Sequence, residues 1–203
     1  LLLLDRETMK ADTLVRHNGF LGQCQWMPDN RHILLQGSPE ALGGIGKNDP
    51  TGKTPSMIQQ ELFLMDTHTG EITPLTKDFD PSIINVECSH ADGNLYALCE
   101  NRDLQSIFRL DMKSKRWTQV KTVNSFSLAR DKPLLSYSGE GASSTYRIHT
   151  IDLKSGKETL IRDYNPGRMT EIELGEFGDW NFQSSRGDTI CGRYYLPPHF
   201  DAS

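Results

Sequence analysis

Four cysteines in 203 residues, Cys24, Cys88, Cys99 and Cys191, are too few for a disulfide framework and lack the paired spacing of a zinc site. Their plain reading is small buried hydrophobes. One pair leaves a second reading open. Cys88 and Cys99 flank Ala91-Asp92-Gly93-Asn94; a hairpin turn centred between Gly93 and Asn94 sets the two sulfurs opposite each other, and one step of register removes that facing. Long apolar runs are also missing. None approaches the about eighteen residues that cross a bilayer, and Leu1 to Leu4 is cut short by Asp5, Arg6 and Glu7, so no membrane span is expected. That opening carries neither a basic leader nor a small-residue cleavage site, which places any targeting segment outside this chain. Basic residues are outnumbered, 22 Lys and Arg against 27 Asp and Glu for a formal charge of −5, and they are scattered singly. With no basic stripe to release counterions from phosphates, nucleic acid is not expected as a partner. Helical periodicity is nearly absent.

What the chain does hold is short β-branched and aromatic runs that stop at Gly, Asp, Asn or Pro, the mark of an all-β protein. Four segments align on an aspartate: LLLLDRETMKADTLV at Asp5, LFLMDTHTGEITPLT at Asp66, IFRLDMKSKRWTQV at Asp111 and IHTIDLKSGKETLI at Asp152. One residue earlier stand Leu4, Met65, Leu110 and Ile151; three later Thr8, Thr69, Ser114 and Ser155; nine later Leu14, Leu75, Val120 and Ile161. An aspartate accepts hydrogen bonds from amides about two residues ahead, and a Ser or Thr hydroxyl closes the same turn from its other side, so each copy predicts a hairpin. The residue four places on needs positive φ. Gly70 and Gly156 supply it freely, whereas Met9 and Lys115 do not, so those two turns are expected to differ in geometry.

A second hairpin falls between successive aspartate hairpins, around Asp29-Asn30, Asp92-Gly93 and Asp131-Lys132, giving four strands per unit. The aspartates lie 61, 45 and 41 residues apart, and the last two spacings match the about 40 to 50 residues of a propeller blade. Residues 37 to 60 account for the long first spacing: five glycines and three prolines in 24 positions mark an inserted loop. The expectation is a partial β-propeller of about four four-stranded antiparallel blades over residues 1–178. The opening strand reads as the middle of a blade, so this is expected to be part of a larger propeller.

Catalytic signatures are mostly missing. GIGKNDPTGKT ends in Gly52-Lys53-Thr54, but Lys47 occupies the place where a phosphate-binding loop needs glycine. No Gly-x-Ser-x-Gly occurs; Ser138-Gly139-Glu140-Gly141-Ala142-Ser143-Ser144 reads as a polar loop between strands. Histidines 17, 32, 68, 90, 149 and 199 show no metal-ligand spacing, and His68 and His90 read as solvated turn residues. A metal site assembled across blades stays open. The repeat aspartates, fixed in every unit, read as turn structure rather than paired catalytic carboxylates. Trp26, Trp117 and Trp180 sit at strand positions where packing between blades is the default. No cofactor is expected.

The last segment breaks the repeat. In EFGDWNFQSSRGDTICGRYYLPPHFDAS, Trp180 to Gln183 and Thr189 to Leu196 read as strands around a turn, stopped by Pro197-Pro198. With Trp180, Phe182, Ser184, Gly187, Ile190, Gly192, Tyr194, Leu196, Pro197, Pro198, Phe200 and Asp201, it resembles the strand pair through which the prolyl oligopeptidase family of serine peptidases passes from propeller to α/β-hydrolase domain. The blades resemble its dipeptidyl-peptidase and acylaminoacyl-peptidase branches, Pro28-Asp29-Asn30 and Leu62-Phe63-Leu64-Met65-Asp66 among them. The resemblance implies that residues 179–203 are exit strands and the start of a linker, that the partners are further blades and a hydrolase domain of the same protein, and that peptides are the substrates. It also implies that the catalytic serine, histidine and aspartate lie beyond this chain. A periplasmic or secreted location is the accompanying expectation. Dipeptidyl members hold the substrate amine with adjacent glutamates, and no Glu-Glu occurs here, so exopeptidase specificity does not follow. The competing readings are a stand-alone propeller used as a protein-binding scaffold and a propeller enzyme acting on glycans through histidines or a metal.

Overall fold

The computed structural model describes residues 1–16, 21–48, 58–141 and 144–201. The chain divides into two compact units, Leu1–Ile84 with Lys113–Lys115, and Asn85–Met112 with Arg116–Ser203.

In the first unit β1 (Leu2–Leu4) and β2 (Ala11–Thr13) form a two-stranded sheet, and β3 (Leu21–Trp26), β4 (His32–Gly37), β5 (Glu61–Asp66) and β6 (Ile72–Pro74) form an antiparallel meander in chain order. Period-2 alternation sends Ile33 and Leu35 of β4 and Phe63 and Met65 of β5 to one face, where Ala41 completes a buried cluster with Leu1, Leu14 and Val15 packed against it. Each such fully buried side chain contributes about 1.5–3 kcal/mol. The 37–60 insertion is not simply a loop over solvent. Its first arm makes one short turn, α1 (Ala41–Gly44), in which Leu42, Gly43 and Gly44 all take positive φ, and Gly46 is buried so close to Phe63 that a Cβ there would meet the ring at 2.9 Å. Gly52, Lys53 and Thr54 lie outside the described residues.

The second meander is β7 (Ser82–Cys88), β8 (Leu95–Asn101), β9 (Leu104–Asp111) and β10 (Arg116–Thr122); the third is β11 (Ser125–Leu128), β12 (Leu134–Gly141), β13 (Ser144–Asp152) and β14 (Glu158–Asp163). Tyr96, Leu98, Ile107, Val123, Leu135, Tyr137 and Ile151 form the core of the second unit. After a 3-10 turn at Arg168–Thr170, β15 (Phe177–Gln183) and β16 (Thr189–Tyr195) pair as a separate hairpin. Among the described residues, three complete four-stranded meanders and two two-stranded sheets therefore stand where about four blades were expected.

One open reading closes and one expectation changes. All four cysteines are free thiols, and of them Cys99 is buried while Cys24 is exposed. The Ser89 amide bonds the Asn94 carbonyl at 2.9 Å and Gly93 takes φ of 72°, which centres the turn two residues before the position that would have faced Cys88 with Cys99. Of the three tryptophans expected to pack between blades, Trp117 on β10 is half-buried, whereas Trp26 is 49% and Trp180 59% exposed.

Candidate functional site

The repeat aspartates build turns. Asp5 Oδ1 accepts the amides of Glu7 at 2.8 Å and Thr8 at 3.1 Å; Asp66 Oδ1 accepts those of His68 at 2.8 Å and Thr69 at 3.4 Å; Asp152 Oδ1 accepts those of Lys154 at 3.0 Å and Ser155 at 2.8 Å. From the other side, Thr69 and Ser155 hydroxyls accept the amides of Glu71 and Lys157. The expected divergence of the Met9 and Lys115 turns does not occur. Met9 and Lys115 take φ of 55° and 57°, in the same left-handed region as Gly70 at 74° and Gly156 at 71°. In the first copy the two aspartate bonds and the closing bond from the Asp5 amide to the Lys10 carbonyl, 2.9 Å, offset the cost of placing a side-chain-bearing residue there. Asp111 pairs with Arg116 across its turn, and its carboxylate lies 3.6 Å from Arg109. Asp66 serves twice, because the Arg31 guanidinium donates to its Oδ2, with Nε at 3.1 Å. That bond first, with the turn amides, holds its carboxyl far below the usual range. These groups are committed to structure.

The other sequence candidates disperse. His68 is exposed, with Nδ1 4.0 Å from Asp66, and His32 pairs with Asp29 at 2.6 Å. Among the described residues no group of His, Cys, Asp and Glu gathers at metal-binding distance. Ser138, expected in a polar loop, lies instead within β12, its hydroxyl tied to Ser125 at 2.6 Å and Tyr146 at 2.7 Å. Strand pairing continues to Gly141 opposite Ser144, so only Ala142 and Ser143, outside the described residues, separate the strands.

The exit hairpin has the most distinctive surface. Its register sets Trp180 opposite Gly192, Phe182 opposite Ile190 and Gly178 opposite Tyr194. Alternation collects these on one face, where Trp180, Phe182, Ile190 and Tyr194 are between 40% and 59% exposed. Trp180 and Phe182 ring centroids are 4.9 Å apart, and the Tyr194 side chain lies over Gly178, where a Cβ would meet its hydroxyl at 2.6 Å and its ring at 2.7 Å. The opposite face is polar. Asp179, Asn181, Cys191 and Arg193 line a cavity of about 400 Å³ with Asn101, Asp103 and Gln119, and Arg193 bridges Asp103 at 3.1 Å and Asp179 at 3.4 Å. Gly187 takes φ of 85° in the hairpin turn. Pro197 and Pro198 follow β16 directly. Sequence reasoning missed Gly175, which lies so near the backbone of Leu196 that a Cβ would fall 1.7 Å from its carbonyl oxygen; the glycine just before the hairpin was the available signal.

No family model matches the chain, and no curated protein does. Solved structures do. A puromycin hydrolase S511A mutant complexed with PGG superimposes with a TM-score of 0.60 at 14% identity, over 91% of this chain and 27% of that one. The acylaminoacyl peptidase of Pyrococcus horikoshii gives 0.54 at 12% over 97% and 47%, and an oligogalacturonate lyase in complex with manganese gives 0.56 at 13% over 97% and 53%. The fold is a partial β-propeller. Its solved neighbours include propeller-bearing peptidases of the prolyl oligopeptidase family, and this chain spans roughly a quarter to a half of their lengths.

Proposed function

We propose that this chain is the non-catalytic propeller portion of a prolyl oligopeptidase-family serine peptidase. Residues 1–178 supply blades, and residues 179–203 supply exit strands and the start of a linker to an α/β-hydrolase domain outside the chain. The propeller limits entry to the hydrolytic centre and contacts peptide substrates. The observation that carries this reading is the exit hairpin: Trp180, Gly192 and Tyr194 stand on paired strands after a run of meanders, Gly187 lies in the turn between them, and Pro197-Pro198 follows the pairing. In such a peptidase a serine attacks the peptide carbonyl, a histidine carries the proton and an aspartate orients the histidine, so these residues alone hydrolyse nothing. Likeness to a puromycin hydrolase and an acylaminoacyl peptidase supports the reading at the level of fold.

The test is to read the gene beyond Ser203. A Gly-x-Ser-x-Gly on the order of a hundred residues downstream supports the proposal, as does loss of aminoacyl- or dipeptidyl-substrate hydrolysis when that serine becomes alanine in the full protein. A stop codon soon after Ser203, or turnover of those substrates by the pure 203-residue chain, defeats it. The exposed aromatic face of the hairpin favours a second reading, a propeller used as a protein-binding scaffold. A full sequence with no hydrolase attached selects that one.

A further inference from the structure

The insertion leaves the first meander at Gly37 and returns at Glu61, two residues paired across β4 and β5. Its described arms are fastened to the same unit. Ala41 is fully buried in the core cluster, Asn48 donates to Asp78 at 3.1 Å, Gln59 to the Asp80 carbonyl at 3.1 Å and the Gln60 amide to Ser82 at 3.0 Å. Glu61 lies at this join and is 6% exposed. Alternation puts it on the face of Phe63 and Met65, which the first arm covers. Its Oε1 accepts a 3.4 Å bond from Gln59 and its carboxyl also bonds Thr76, but Oε2 is shut off from solvent and has no hydrogen-bond partner among the described residues. No cation balances it among the described residues. Lys47 on the first arm is paired with Glu40, Lys77 and Asp80 beyond β6 are exposed, Asp80 meeting Gln59 only through its backbone carbonyl, and the Asp78 carboxylate accepts from Asn48. None of these charges is among the groups that perturb Glu61: burial acts first, against weaker bonds from Thr76 and Gln59, and pushes its carboxyl up to about 7.

We propose that Glu61 is a pH-operated clasp on the two described arms of the insertion, residues 38–48 and 58–60. Uncharged, it stays dry under the first arm and both arms remain on the sheet; ionised, it draws water to the join and the arms part. Its proton is held more tightly when the arms are closed than when the carboxyl is solvated, so closure is strongest below the ordinary glutamate range near 4.5 and weakens as pH rises to about 7, with little change above. The inference does not depend on the peptidase reading, since it concerns this chain alone.

Hydrogen exchange of peptides covering residues 38–48 and 58–61 tests it, comparing the 203-residue chain with Glu61→Gln at each pH so that the intrinsic pH dependence of exchange cancels. Between pH 5 and pH 8 the ratio of wild-type to variant opening should rise about tenfold or more, while peptides covering Leu134–Gly141 stay unchanged. An unchanged ratio overturns the proposal. Should the variant fail to fold, carbon-13 NMR of the wild-type Glu61 carboxyl decides: a midpoint above 6 with arm resonances shifting in step supports the clasp, and a midpoint near 4.5 or arms indifferent to the titration overturns it.

Discussion

Lys115 offers a direct measure of what the aspartate turns cost. It is exposed and takes φ of 57° where two other copies have glycine. A residue with a Cβ pays about 1–2 kcal/mol in the left-handed region, and glycine removes that cost but frees the unfolded chain by about 0.4–1 kcal/mol. Lys115→Gly should therefore stabilise the protein by about 0.5–1 kcal/mol, or roughly 1–4 °C in Tm for a chain of this size. The reverse change, Gly156→Ala, isolates the same backbone effect because nothing lies within 4 Å of the added Cβ, and it should cost about as much. Urea titrations followed by tryptophan fluorescence and circular dichroism read both variants, with an unchanged m-value required before a midpoint shift is counted as stability. A Lys115→Gly variant less stable than wild type, or a neutral Gly156→Ala, refutes the equivalence of the four turns.

Acid should erode these turns. Asp5, Asp66 and Asp152 sit below their ordinary values, chiefly through the amide bonds of Thr8, the Arg31 guanidinium and the Ser155 amide respectively. Asp29 is raised by burial but pulled further down, to about 2, by the His32 and Arg31 amides. Depressed folded-state values give stability that is complete above about pH 4 and lost as pH falls towards 2, which thermal melts across that range will show; a Tm independent of pH there contradicts it. Cys99, fully buried with its thiol pushed up to about 12 by burial, should resist alkylation until the chain unfolds, whereas exposed Cys24 should react first; mass spectrometry of the alkylated peptides gives the order. Gly175→Ala must displace the Leu196 carbonyl, so amide exchange across Phe177–Tyr195 should rise while the third meander is unaffected. Equal protection in that variant would show the approach to be unimportant.

Much of the fold was legible because it rests on bonds spanning few residues. The spacing from Asp152 to Ser155 lets the turn close through bonds of its own, and the excess length between Asp5 and Asp66 located the insertion. The errors fall where distant contacts decide. Whether Lys115 accepts positive φ depends on the bonds that close its turn, and Cys88 loses Cys99 because Ser89 pairs with Asn94. Trp180 is exposed because its face is covered by no strand among the described residues, which alternation along β15 cannot disclose. Glu61 reads in the sequence as an ordinary polar residue at a loop end; its burial depends on an arm that starts more than twenty residues earlier. The candidate site was readable as a hairpin, but its division into an aromatic and a polar side required the register.

Gly178 and Gly192 let neighbouring rings recline along the backbone instead of standing up from it. A surface made of reclining rings is broad and shallow, and what it rewards is contact area rather than the fit of a knob in a hole. Removing any one of these rings takes away part of that area and leaves the rest in place.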